Sequence, residues 1–301
     1  MELDFGTIAP RLRTIGLHIT IQEQNMIDAA FPWLLHEFAL EHVQYFGKIH
    51  TLLPDPYLIV RGFREAVAIP VFLVSMDGVN WTELPLVDEK VLEALDAIDY
   101  GLTCQRPFTG KLTELLPRPE GEEEDEEEPE EPEEQEEQGE PEENQGEEGE
   151  EAAPAKKEPK PKKEKPIKPT EAHRLSVCIN EIQAHLQLII PAAYSKRGSQ
   201  PARNATFRGL TTASSKSVAI KSEYLSFLES GYKGTMEDCP TIADYPNSFI
   251  YPSTFDPITN CLVVSSRFWP GCIYYVFART LIWGSAYEGT GLMNCNVHLE
   301  M

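Results

Sequence analysis

The chain has 301 residues and a net charge of −23, because 49 acidic residues outnumber 26 basic ones. The imbalance is local: residues 120–151 hold 21 acidic and no basic residues, and residues 156–168 hold seven lysines and two glutamates. The rest of the chain has the modest charge of an ordinary folded protein. It can bury a core as one domain or as two halves that share an interface, which excludes a wholly disordered protein.

The N-terminal half is predicted to span residues 1–119, with helices followed by strands. Apolar residues at helical spacing between Met26 and Glu41 indicate a helix, and Pro32 predicts a break or a helix start near it. Three later segments rich in β-branched and aromatic residues predict three or four strands. These segments are HVQYFGKIHTL, YLIVRGF and IPVFLVSMDGVNWTEL, and the last one contains Asp77-Gly78, which predicts a hairpin turn.

Residues 120–169 form an insertion that is acidic at its start and lysine-rich at its end. Repulsion between the glutamates and the repeated prolines oppose burial, so we expect a disordered, solvated loop. The lysines at residues 156–168 lie directly after the acids, without interleaved aromatic residues. They are therefore expected to be neutralised within the chain rather than to bind nucleic acid.

The C-terminal half is predicted to span residues 170–301, again with a helix before strands. Helical spacing of Leu175, Cys178, Ile182, His185, Leu186 and Ile189 predicts a helix that ends before Pro191. A loop is predicted at Arg203-Asn204, and then a short helix in SEYLSFLES that Gly231 closes. Strands are predicted in LVVSSRFW, CIYYVFARTLIWGSAYEG and NVHLEM. Helices that precede antiparallel strands in both halves favour an α+β fold over alternating α/β.

The cysteines give no sign of a zinc or redox pair, because no two are closer than eleven residues. The first residues resemble no secretory signal, and no apolar stretch approaches the ~18 residues that cross a membrane. Free, buried thiols in a reducing cytosol are therefore expected. The six cysteines are Cys104, Cys178, Cys239, Cys261, Cys272 and Cys295.

No motif indicates a catalytic, cofactor-binding or metal site. His36 and His42 lie six residues apart, which points them about 240° apart on a helix. HEFALEH is therefore predicted to be a solvated helix face rather than a zinc helix. Gly289-Thr290-Gly291 predicts a tight turn between strands rather than a dinucleotide loop. A Cys-His or Ser-His pair that forms only in the fold stays open, but the sequence favours a protein that is not an enzyme.

The aromatic stretch at residues 268–291 is the most distinctive part of the chain. Tyr274 and Tyr275 are neighbours on a predicted strand, so they are expected to point to opposite faces. Only one of them is expected to reach the core, which makes the other a candidate assembly contact. The four tryptophans are expected in the core, and they are Trp33, Trp81, Trp269 and Trp283.

Segments throughout the chain outside the insertion resemble the radial spoke head protein 9 family of motile cilia and flagella. In the N-terminal half they are YFGKIHTLLPDPYLIVRGF, NWTELP and FTGKLTEL. In the C-terminal half they are EAHRLSVCINEIQAHLQLIIPAAY, NATFRGLT and FWPGCIYYVFARTLIWGSAYEGTG. The most specific positions are Trp269-Pro270-Gly271, Tyr274, Gly284, Tyr287 and Gly289-Thr290-Gly291.

This resemblance implies a structural subunit of the radial spoke head, located in the cytoskeleton of the axoneme. The subunit would be needed for head assembly and for relaying central-pair contact to dynein-driven motility. The implied partners are the larger spoke-head relatives, the MORN-repeat head proteins and the spoke stalk, with transient contact to central-pair projections. The resemblance implies no cofactor, metal, nucleic acid or membrane.

Two questions stay open at this stage. On a spoke head, the acidic insertion is either a tolerated surface loop or a charged brush that keeps contacts with central-pair projections brief. The alternative function is that of an acidic chaperone that binds histones or other proteins, because such chaperones also carry glutamate tracts.

Overall fold

A computed structural model of the chain describes nine ranges of residues. The ranges are 5–64, 69–97, 104–116, 168–185, 187–197, 200–211, 225–227, 239–244 and 248–297. Within them the chain forms four α-helices and a mixed sheet of eight strands, which confirms the α+β class. The acidic insertion up to residue 167 lies outside the described residues.

Helices and strands follow one another in both halves. The N-terminal half contains α1 (Phe5–Thr14), α2 (Ile21–Glu37), β1 (His42–Ile49), β2 (Tyr57–Phe63), β3 (Val71–Ser75), β4 (Thr82–Glu83) and α3 (Glu89–Ala97). The C-terminal half contains α4 (Glu171–His185), β5 (Leu188–Ile189), β6 (Tyr194–Arg197), β7 (Gln200–Arg203), β8 (Ser226–Phe227), β9 (Ser253–Asp256), β10 (Cys261–Ser265), β11 (Cys272–Phe277) and β12 (Trp283–Gly289). Neither α1 nor α3 was among the predicted elements.

The main sheet joins two antiparallel meanders, one from each half of the chain. Its strand order is β4-β3-β2-β1-β12-β11-β10-β9, and the two meanders meet where β1 pairs with β12. This central pair is parallel, with Gly47 opposite Tyr287 and Ile49 opposite Gly289. The predicted antiparallel strands are confirmed within each half, and the parallel pairing joins the two halves. Residues far apart in the sequence form the centre of a single sheet.

Both faces of this sheet are covered by helices. On one face, Phe5 of α1 and Ile27 of α2 share a core with Tyr275. On the other, Ile179 of α4 shares a core with Tyr274. The two tyrosines do point to opposite faces, yet they are 1% and 6% exposed. The expectation that only one reaches the core is wrong, because a sheet covered on both sides buries alternate residues equally.

The structure corrects several predicted helix boundaries. Helix α2 continues through Pro32 without a break. Its start is held by a capping box, in which the Glu23 amide donates to Thr20 Oγ1 and the Thr20 amide donates to the Glu23 carboxylate. Helix α2 ends at Glu37 and Ala39 adopts a φ of 48°. HEFALEH is therefore not one helix face, since His42 begins β1 and stacks on Phe63.

In the C-terminal half, α4 ends at His185, and Ile189 lies in β5 rather than in the helix. The helix predicted in SEYLSFLES is wrong at its centre, because Ser226–Phe227 pairs with Leu188–Ile189 as a strand. Arg203 likewise ends a strand rather than lying in a loop. Leu225, also in this segment, is fully buried. Residues 222–224 and 228–230 of SEYLSFLES, together with Leu186 and Gly231, lie outside the described residues.

The chain after β12 also differs from the prediction. Gly291 bends the backbone with a φ of 71°, but described residues 292–297 form no strand after it. The first two residues of NVHLEM, Asn296 and Val297, lie in a turn, and the last four are outside the described residues. Val297, the last described residue, is fully buried and packs on the core instead.

The Asp77-Gly78 hairpin turn between β3 and β4 is confirmed. Gly78 has a φ of 71°, and the Asp77 carboxylate accepts from the amides of Val79 and Asn80. Hydrogen bonds from those backbone amides, led by the Asn80 amide, hold the pKa of Asp77 well below its usual range. The turn also places Trp81 in the core, where its indole donates to the Gly78 carbonyl.

Gly271 offers a test of the sheet centre, because it has a matched control. Its φ is 91°, and a Cβ there would lie 1.9 Å from the Glu288 carbonyl oxygen of β12. Gly16 has a similar φ of 100° and no atom within 4 Å of its Cβ position. Gly271→Ala is therefore expected to lower the free energy of unfolding by about 3 kcal/mol or more, and Gly16→Ala by about 1 kcal/mol.

Urea denaturation of both variants checks this expectation, with an unchanged m-value as evidence that the native state is retained. Equal losses at the two positions would show that β11 and β12 do not approach each other as described.

Candidate functional site

The two ends of the acidic insertion are held side by side. Leu115 and Thr170 form an antiparallel bridge. The Leu116 amide donates to the Pro169 carbonyl at 3.1 Å, and the Glu171 amide donates to the Glu114 carbonyl at 2.9 Å. We call this arrangement, together with the ion pair described next, the insertion clasp. The clasp fixes where the chain leaves the folded body and where it returns.

A buried ion pair within the first turn of α4 completes the insertion clasp. Arg174 donates to both carboxylate oxygens of Glu171, from Nε at 2.9 Å and from Nη2 at 2.8 Å. The side chains are only 2% and 1% exposed. The Thr109 amide also donates to Glu171, and Arg174 lies 4.1 Å above the Phe108 ring. Arg174 further donates to the carbonyls of Arg106 and Pro107.

Each charge of this pair is therefore surrounded by hydrogen-bonding partners, which a buried ion pair requires. The glutamate also lies in the first turn of a helix, where the helix dipole favours a negative charge. The pair links the segment around Phe108, from the N-terminal half, to a helix of the C-terminal half. The role of this ion pair is structural, since its charged groups bind each other and nearby backbone groups.

A second group of charges lies beside the central strand pair, and we call it the seam cluster. Lys48 Nζ of β1 lies 3.3 Å from Glu23 of α2 and 3.7 Å from Glu288 of β12. Lys48 also donates to the His18 carbonyl, and the Glu288 carboxylate accepts from the His18 amide. The His18 and His50 rings lie 3.5 and 3.9 Å from Glu288. The seam cluster thus ties the start of α2 to both central strands.

The third polar group is a buried row across the α4 face of the sheet, which we call the Arg61 row. Arg61 of β2 donates from Nε to Gln44 at 3.1 Å, and from Nη1 to Gln183 of α4 at 2.9 Å and to Ser285 Oγ of β12 at 2.8 Å. Arg61 is only 6% exposed. Burial lowers the pKa of its guanidinium, because a charge is poorly solvated in the core.

None of these three groups has the geometry of a catalytic centre. In these groups, the side chains of Lys48, Arg61, Arg174 and the glutamates form ion pairs or hydrogen bonds with the partners named above. Within the described ranges, no set of three or more histidine, cysteine, aspartate or glutamate side chains is placed to hold a metal ion. His36 and His42 lie in separate elements.

The aromatic stretch at residues 268–291 is built into the core. Trp269 is 1% exposed, and the Tyr287 hydroxyl accepts from the Gly291 amide at 2.8 Å. Burial raises the pKa of Tyr287, since its hydroxyl lies among apolar groups and thiols. A Cβ at Gly291 would lie 2.4 Å from the Phe108 ring. These rings and glycines therefore serve close packing.

The expectation for the four tryptophans holds at Trp81 and Trp269 but is wrong at Trp33. Trp33 lies on α2, is 46% exposed, and makes an edge contact with Phe38. Trp283 is half-buried against Phe207. The exposed Trp33 replaces Tyr274 and Tyr275 as the candidate assembly contact, since large exposed aromatic residues are enriched at interfaces.

Sequence reasoning missed all three polar groups. The sequence signals were present: glutamate and arginine three residues apart at the start of a helix, and charged Arg61 inside the apolar strand YLIVRGF. Lys48 carried no such signal, because its partners lie 25 and 240 residues away along the chain. Such pairing is visible only once the strand order is known.

The five buried cysteines match the expectation for most of the thiols, while Cys295 is exposed. None of the described helices is long and apolar enough to cross a membrane.

A scan of protein-family models finds no model that matches the chain, and a search of curated proteins finds no match.

The ion pair of the insertion clasp is expected to contribute a measurable part of the free energy of unfolding. Arg174→Met leaves the Glu171 carboxylate buried without its counter-ion, which is expected to cost about 3–5 kcal/mol of unfolding free energy. Combining it with Glu171→Gln removes the stranded charge, so the double variant is expected to be more stable than Arg174→Met alone. Urea denaturation measures the wild type, both single variants and the double variant.

The matched control is Glu114→Gln, which neutralises an exposed carboxylate on the same segment and is expected to change stability by less than about 0.5 kcal/mol. A double variant that is less stable than Arg174→Met by the full cost of Glu171→Gln would show that the two charges act independently.

Proposed function

We propose that this chain is a structural scaffold subunit of the radial spoke head in the axoneme of motile cilia or flagella. The observation that carries the proposal is where the family-like segments lie. YFGKIHTLLPDPYLIVRGF includes most of β1 and all of β2, and FWPGCIYYVFARTLIWGSAYEGTG includes β11 and β12. These four strands are the centre of the main sheet. The resemblance therefore involves the residues on which the whole fold is built.

The chemistry of those residues supports a scaffold rather than an enzyme. The glycines of the stretch provide close backbone approach, as Gly271 does against Glu288. Its tyrosines and Trp269 are buried in cores. A subunit that transmits mechanical contact needs such rigid packing, because a close-packed interior transmits strain.

The insertion clasp supports the same proposal from another side. The folded body closes on itself at Leu115 and Thr170, so it does not need the acidic residues for its own structure. A long closed loop costs little extra closure entropy. The insertion is thus free to serve as a charged surface element of the spoke head.

Under this proposal the partners are the larger spoke-head relatives, the MORN-repeat head proteins and the stalk, and central-pair projections make transient contact. Trp33 is the candidate contact with a stable partner, because buried tryptophans dominate the binding energy of interfaces. The chain needs no catalytic group, cofactor or metal for this role.

Imaging of axonemes tests the proposal directly. Cells with motile cilia that lack this chain are expected to lose density in the spoke head, while the stalk and the outer doublets remain. Re-expression of the chain restores the head. Spoke heads that remain complete without the chain, or a chain that never enters axonemes, would overturn the proposal.

The same cells can test Trp33. Re-expression of Trp33→Ala is expected to give weaker incorporation than re-expression of Leu86→Ala, a control at another exposed apolar residue. Equal incorporation of the two variants would remove Trp33 as the assembly contact and leave the rest of the proposal in place.

The role of the insertion is tested by replacing residues 117–167 with a short Gly-Ser linker. Stability is expected to rise by up to about 2 kcal/mol, because each halving of loop length returns about 0.6 kcal/mol. If the insertion is a charged brush, the shortened chain changes the salt sensitivity of beating. Unchanged swimming and unchanged salt sensitivity would reject the charged brush, and the insertion would then be a tolerated surface loop.

The alternative proposal, an acidic chaperone for histones or other proteins, is favoured by the 21 acidic residues in residues 120–151. The shortened chain separates the two proposals. A chaperone loses salt-sensitive histone binding when residues 117–167 are removed. A spoke-head subunit still enters axonemes.

A further inference from the structure

The Arg61 row contains a buried positive charge without a negative partner. The side chains that accept from Arg61 are Gln44, Gln183 and Ser285, and all three are neutral. No aspartate or glutamate among the described residues forms an ion pair with it. This contrasts with Arg174, which is also buried but is paired with Glu171. A buried charge is costly unless it is paired.

Arg61 also has donor capacity that its neighbours do not use. A guanidinium has five N–H groups in a fixed plane. Nε and Nη1 are well satisfied, whereas the closest acceptor of Nη2 is the Ser285 carbonyl at 3.5 Å, at the outer limit of a hydrogen bond. The Nη2 side of the guanidinium therefore lacks a well-placed acceptor.

A second donor without an acceptor lies on the same face of the sheet. Tyr274 of β11 is directly opposite Ser285 of β12 in the strand register. Directly opposed residues place their Cβ atoms about 5 Å apart on one face. Tyr274 is 1% exposed, and its hydroxyl has no hydrogen-bond partner among the described residues. Arg61 and Tyr274 thus stand on either side of Ser285.

We propose that Arg61 and Tyr274 together bind one small monovalent anion of the chloride class beside Ser285, on the α4 face of the sheet. Both groups donate hydrogen bonds, so the ligand accepts two. A water molecule can accept both hydrogen bonds but leaves the guanidinium charge uncompensated. A halide satisfies the donors and the charge at once, and a monatomic ion demands the least space in a packed core. The site is independent of the spoke-head proposal.

Chloride-dependent stability is the first test. The full-length chain is unfolded by urea in sodium chloride and in sodium gluconate at equal ionic strength. Bound chloride lowers the unfolding equilibrium constant by the factor 1 + [chloride]/Kd, about 10-fold at a concentration ten times the Kd. Gluconate is too large for the site and gives no such effect. Equal stability in both salts at every concentration would overturn the proposal.

Two matched tyrosine variants locate the effect. Tyr274→Phe keeps the ring and removes the hydroxyl donor, so the chloride Kd is expected to rise about 10-fold. Tyr57→Phe makes the same change in the same core beside Phe108 and is expected to keep the chloride response. Arg61→Gln is expected to abolish it. If Arg61→Gln does not fold, the comparison of the two tyrosine variants still decides the matter.

Crystals grown in sodium bromide give the direct observation, because bromide has an anomalous signal. The expected peak lies within hydrogen-bond distance of both Arg61 Nη2 and Tyr274 Oη. A water molecule there, or a carboxylate from elsewhere in the chain paired with Arg61, contradicts the proposal.

Discussion

Where β1 meets β12, the backbone of Gly47 lies so close to that of Tyr287 that a Cβ would be 1.9 Å from the Tyr287 carbonyl oxygen. The parallel pairing at this point joins two meanders that are otherwise separate. It also places Lys48 opposite Glu288, so the seam cluster is a direct result of the register. The two central strands, α1 and α2, and the core beneath α4 all depend on this approach.

The covering of both faces follows from the same arrangement. A sheet whose central strands come from the two halves of the chain has helices from each half available. Here α1 with α2 cover one face and α4 covers the other. The aromatic stretch at residues 268–291 is thereby enclosed. Its glycines and rings are explained by packing inside the molecule, and the surface left for partners includes Trp33 instead. The acidic insertion leaves this body at the insertion clasp, where hydrogen bonds between the two flanking segments hold its ends together.

The sequence predicted the parts of this fold that depend on local patterns. The β1 to β4 strands and the Asp77-Gly78 turn follow from alternation and turn chemistry, and they were predicted correctly. The course of α2 through Pro32 was not, because the capping box and burial of Ile27 and Leu34 outweigh one lost backbone hydrogen bond. The local pattern around Ser226–Phe227 favours a helix, but the segment is a strand because it pairs with Leu188–Ile189, which is remote in the sequence.

The candidate site shows the same division. Burial of Trp81 and Trp269 follows from residue type, whereas exposure of Trp33 depends on how α2 lies on the sheet. The partners of Lys48, Arg61 and Arg174 come from elements remote in the chain, so no local pattern could assign them. The sequence shows only that familiar catalytic, cofactor and metal motifs are lacking. The insertion clasp, the seam cluster and the Arg61 row can be recognised only in the folded structure.

Hydrogen exchange on the native chain tests the central constraint most directly. If the pairing of β1 with β12 unites the two meanders, the slowest amides of β2 and β3 and the slowest amides of β10 and β11 exchange with one common opening free energy, equal to that of global unfolding. Two distinct values, one for each meander, would contradict the account by showing that the halves open independently.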